Sequence, residues 1–70
     1  MMLAHNNTIN TALLNYLTNE DAIRAQYPNS FIILFERQIL GPYQSVTEAY
    51  RVAFAKFELG TFIVKYCGKL

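Results

Sequence analysis

The chain has 70 residues, enough for one hydrophobic core and too few for a catalytic domain with a separate regulatory one, so residues 1–70 are read as a single unit. Such a core rarely supplies more than about 3–5 kcal/mol without reinforcement. Cys67, the only cysteine, excludes an internal disulfide. A composition of 53% hydrophobic and 16% charged residues with a net charge of +1 argues for self-association and against non-specific nucleic-acid binding, which needs clustered basic residues.

Met1 to Asn10 has neither a basic start nor a continuous apolar run, which points away from a signal peptide. No stretch approaches the roughly 20 apolar residues of a membrane span, so the expected setting is cytoplasmic, with no membrane partner. Asn6-Asn7-Thr8 matches the glycosylation acceptor pattern, yet without secretion nothing reads it, and Asn6 or Asn7 suits a helix cap instead. Ile9, Leu13, Leu14, Tyr16 and Leu17 recur at helical spacing and predict a first helix. Thr18 stands three residues before Asp21, and Ile23 and Tyr27 lie four apart, which predicts a second short helical segment from Asn19. Pro28 and the turn formers Asn29-Ser30 should end it near Gln26.

Phe31-Ile32-Ile33-Leu34-Phe35 is a short, wholly apolar, β-prone run, separated by Glu36-Arg37 from Gln38-Ile39-Leu40-Gly41-Pro42-Tyr43. The pair reads as a hairpin. Glu-Arg lacks the Gly or Asn that two-residue turns prefer, which suggests a longer loop, and Pro42 assigns the second strand to a sheet edge. Ser45-Val46-Thr47-Glu48 forms a capping box: Ser45 can accept from the Glu48 N–H while the Glu48 carboxylate reaches back to that of Ser45. Val46, Ala49, Tyr50, Ala53, Phe54 and Phe57 follow at helical spacing, predicting a helix over 46–59 with Gly60 as its left-handed terminator. Thr61 to Tyr66 is β-branched and aromatic and reads as a third strand.

The order is therefore helical region, hairpin, helix, strand: an α+β fold with a three-stranded, mainly antiparallel sheet in the order 2-1-3 and two helices packed on it. In the central strand Phe31, Ile33 and Phe35 point to one face and Ile32 and Leu34 to the other. With both helices on one face, Ile32 and Leu34 would form an exposed apolar patch, and these two residues are the candidate interface of a two-fold dimer. One helix on each face is the competing arrangement.

Residues that could carry chemistry are sparse. Glu20-Asp21 diverge by about 100° on a helix, too far for a paired acid and base, and suit the helix dipole instead. His5 and Cys67, the strongest ligand and nucleophile types, lie at opposite ends, so neither a metal site nor a thiol enzyme is expected. Gly41-Pro42 and Gly60 read as turn and cap residues, with no phosphate-binding loop and no cofactor implied. Phe35, Tyr43 and Tyr66 could stack on bases, but without basic neighbours they read better as core or interface.

The segments Tyr27-Pro28-Asn29-Ser30-Phe31-Ile32-Ile33, Gln38 through Ala49, and Gly60-Thr61-Phe62-Ile63-Val64-Lys65 resemble a family of short prokaryotic proteins with no assigned activity. Asn29 stands where that family usually has Gly, and Thr61 where it has Pro. The resemblance implies a hairpin-helix-strand core and assigns no functional residue. The expectation is a non-enzymatic module that forms a homo-oligomer or docks on another protein, with a nucleic-acid-associated accessory, such as a small toxin-antitoxin component, as the alternative.

Overall fold

A computed structural model describes residues 3–68, with side chains described from residue 9 onward. Helices α1 (Leu3–Thr18) and α2 (Glu20–Gln26) are followed by strands β1 (Ser30–Phe35) and β2 (Gln38–Tyr43), helix α3 (Val46–Lys56) and strand β3 (Ile63–Cys67). The sheet is antiparallel in the order β2-β1-β3, as the strand pattern predicts, with the all-apolar β1 in the centre.

The first helical region breaks at Asn19 for a local reason. Its side-chain amide donates to the Asn15 carbonyl at 3.0 Å, competing with the helix's own ladder, and its backbone N–H is shared between Asn15 and Tyr16. Glu20 and Asp21 then open α2 in the first turn, where acidic residues complement the helix dipole. Asn6 and Asn7 lie inside α1, which starts at Leu3, so they do not cap it.

The hairpin turn is tighter than its residues suggest. Phe35 pairs with Gln38, so Glu36-Arg37 is the whole loop, and Glu36 adopts φ 52°, a left-handed geometry that Gly or Asn would take at lower cost. Farther along, Phe31 pairs with Tyr43 and Ile33 with Leu40, so Ile32 faces one residue too many on β2. This bulge, at Gly41-Pro42, reverses the alternation of β2: Leu40 and Tyr43 pack on the same cluster although an odd number of positions separates them. A Cβ on Gly41 would lie 3.1 Å from Ile32 Cγ2 and 3.2 Å from the Phe31 carbonyl oxygen, so glycine allows this close approach.

Ser45 caps α3, accepting from the Glu48 N–H at 3.1 Å, but the Glu48 carboxylate reaches Gln44 N–H at 3.1 Å instead of Ser45. The helix stops at Lys56, three residues before the expected end, because Phe57 turns extended and stacks its ring on Phe35 at 4.2 Å. Gly60, at φ 92°, therefore does not terminate α3. It occupies the third position of a separate turn closed by the Thr61 N–H on the Glu58 carbonyl, where a positive φ is required.

The helices divide between the two faces of the sheet. Ile32, Leu34 and Cys67 pack with Ala12, Tyr16 and Ile23 from α1 and α2, while Ile33 packs with Ala49 and Ala53 of α3 and with Phe62. Ile32 and Leu34 are thus fully buried within the chain, and the exposed patch expected at these two positions is replaced by core. The competing arrangement is the one adopted, because β1 is apolar on both sides and only a layer on each side removes both from water.

Candidate interaction surface

α3 approaches the sheet through alanines. Ala49 and Ala53 are fully buried against Ile33, which lets the helix sit close, and its larger apolar residues are displaced to a flank. Val46, Tyr50 and Phe54, spaced four apart, form a line along that flank with 44%, 40% and 55% of their surfaces exposed. The line is an extension of the core. Tyr50 and Phe54 stack at 5.6 Å, and both meet the edge of the buried Phe62 ring, at 6.2 and 5.7 Å. Leu59, 78% exposed in the turn after α3, and Tyr66, 46% exposed on β3, are further exposed apolar residues outside this line. Rigid aromatics anchored on a packed core are the residue types that dominate protein contacts.

The periodicity of α3 contains this surface in full, since every residue of the line belongs to the predicted helix. The sequence could not say which members would face the sheet, because a helix with apolar residues over so wide an arc has more than one way to lie down. Leu13, Leu14 and Leu17 on α1 are also exposed, but Thr11, Asn15 and Thr18 alternate with them and no aromatic ring ties them to the core.

Neither sheet edge is an easy route to association. β2 carries the Gly41-Pro42 bulge, and Pro42 has no N–H to offer. On β3, Lys65 holds its ammonium 5.3 Å from the centre of the Tyr16 ring on the α1–α2 side. An inward-turned lysine of this kind discourages strand pairing, and a two-fold pairing over the full length of β3 would set Lys65 opposite its own copy.

The residues weighed for chemistry are dispersed. Cys67 is buried at the end of β3, and burial pushes its thiol up from the ordinary value despite the opposing charges of Arg24 and Lys65. A nucleophilic cysteine needs the opposite shift. The side chain of His5 lies outside the described residues. Glu20 and Arg24 form an ion pair at 2.9 Å, and Arg24 also donates to the Gly68 carbonyl at 2.9 Å, tying α2 to the end of β3. Among the described residues no three His, Cys, Asp or Glu side chains are grouped as metal ligands would be, and no helix is long and apolar enough to cross a membrane. Of the three aromatics considered for stacking, Phe35 is committed to Phe57, and Tyr66 leans on Phe31 at 4.9 Å. Lys65, the nearest basic residue in sequence, turns to the opposite face.

Comparison with protein-family models, with curated proteins and with solved structures finds no match.

Proposed function

We propose that this chain is a non-enzymatic protein-interaction module of the cytoplasm whose contact surface is the flank of α3. The observation that carries this reading is the continuity of Tyr50 and Phe54 with the buried Phe62: an exposed aromatic line rooted in the core, on a chain short of charge. Burying such rings on a partner removes apolar area worth about 25 cal/mol per Å² from water, and anchoring on Phe62 lowers the ordering cost of binding. Among its described residues this flank offers rings and the Tyr50 hydroxyl, with no paired acid and base.

A photo-crosslinking phenylalanine analogue placed at position 54 in the native cell tests the proposal. Discrete protein adducts are expected, and they should be absent when the analogue replaces Asp21 on exposed α2. Equal labelling at both positions, or none at 54, overturns the reading.

A further inference from the structure

We infer that the flank of α3 receives an extended segment of another protein, which pairs with the open edge of β3 as a fourth strand and carries an acidic residue between two apolar ones; this rests on the interaction reading above. β3 is an edge strand, and among the described residues its backbone is paired only on the side of β1 and of Asn29 just before it. Every second N–H and C=O along its outer side therefore points to solvent. The exposed line of α3 runs beside this edge. α3 begins just past Tyr43, which pairs with Phe31 at one end of the sheet, and Phe57 at its far end stacks on Phe35 at the other. Tyr50 and Phe54 both meet Phe62, the residue that leads into β3, so the line lies on the β3 side of the helix. From Val46 to Phe54 the helix rises about 12 Å, and from Ile63 to Cys67 the strand extends about 13 Å. A strand added at the usual spacing of about 4.8 Å would lie under the line over its whole length.

Alternation specifies the side chains of the added strand. Val64 and Tyr66 face α3, opposite Ile33 and Phe31 of β1, whereas Lys65 between them faces the other side, with its ammonium over the Tyr16 ring. The residue set beside Lys65 therefore has neighbours before and after it that turn to the α3 face. Lys65 has no ion pair among the described residues, so a carboxylate belongs at the first position. The two neighbours pack beside Val64 and Tyr66 and cover the exposed line, which calls for apolar residues. Lys65 makes this edge selective: it repels a second copy of β3, where lysine would meet lysine, and attracts a strand of opposite charge. The β2 edge is no substitute, because Pro42 lacks an N–H and the bulge interrupts its ladder. A helix laid on the flank is the competing occupant, and it would leave the β3 edge unpaired and Lys65 without a counter-charge.

Selection of a random peptide library displayed on phage against the immobilised chain is the test. Peptides with Asp or Glu between two apolar residues are expected to be enriched. Against Lys65→Glu, with circular dichroism confirming the fold, the acid should give way to Lys or Arg; against Lys65→Gln the preference for an acid should vanish with no basic one in its place. The best peptide should slow hydrogen exchange at the outward-facing amides of β3. Its affinity should fall roughly tenfold in Lys65→Gln, and by about tenfold or more when its alternate backbone nitrogens are methylated, which removes ladder donors and keeps the side chains. Apolar residues enriched at helical spacing, an acid preference unmoved in both Lys65 variants, or a methylated peptide that binds as well as its parent overturns the added strand and leaves the interaction reading in place. No enriched peptide, with crosslinks still formed from position 54, does the same. The absence of both peptides and crosslinks overturns the two proposals together.

Discussion

The two faces of the sheet are covered by different means. On the α1–α2 side, large residues interlock: Tyr16, Ile32, Leu34 and Cys67 are each almost completely buried, and the Glu20–Arg24 pair fastens the rim to Gly68. On the α3 side, the helix comes down on Ala49 and Ala53, and the rings that could have filled the interior lie along its flank. The first face is completed by its own chain, whereas the second has apolar surface to spare. Small residues at a helix-sheet contact thus do two things at once: they shorten the approach, and they decide which side chains are left over for a partner.

The largest expected effect breaks the closed face. Ile32→Glu or Leu34→Glu places an unpaired charge in the core, and the cost of several kcal/mol exceeds what so small a domain holds in reserve. Both variants should be unfolded by circular dichroism, whereas Phe54→Glu on the open flank should stay folded; a folded Ile32→Glu monomer would mean that this face is an interface after all. Next, Ala53→Leu should destabilise by about 1–3 kcal/mol in urea, because α3 cannot retreat from Ile33 without disturbing its neighbours. An unchanged midpoint would show that the α3 face is loosely packed. Ser45→Ala removes the acceptor of the Glu48 N–H and should cost about 0.5–2 kcal/mol, read as a lower thermal midpoint.

A smaller, pH-dependent effect belongs to the closed face. Tyr16 and Cys67 are both pushed up by burial, from ordinary values of 10.0 and 9.0. Each holds its proton more tightly folded than unfolded, so their contribution to stability is whole below about pH 9 and declines as the solution becomes more alkaline. Urea midpoints that stay level to pH 10 would contradict this, as would rapid alkylation of native Cys67 at neutral pH.

Much of this architecture is legible in the residues. Ser45 and Glu48 announce the start of α3, Pro42 marks an edge strand, and the unbroken apolar run of β1 identifies the central strand. What escapes is set by contacts between distant positions. α3 ends early because Phe57 finds Phe35, a partner more than twenty positions away, and no local pattern announces that meeting. The burial of Ile32 and Leu34 under α1 and α2 escapes in the same way, since alternation tells which residues share a face and nothing about what covers it. The aromatic line on α3 was present in the periodicity, but its exposure depends on Ala49 and Ala53 winning the contact with Ile33.

The bulge at Gly41-Pro42 makes the length of β2 matter as much as its composition. Deleting one residue there would restore strict alternation and leave Tyr43 opposite Phe31, on the α3 side, so that α3 would start from the same surface of the sheet. A second deletion would set Tyr43 directly after Leu40 and turn it toward the α1–α2 side. The strand should therefore tolerate the loss of one residue at the bulge and not of two, while the turn at Glu58–Thr61, with open space around Gly60, can gain or lose single residues without moving any side chain across the sheet.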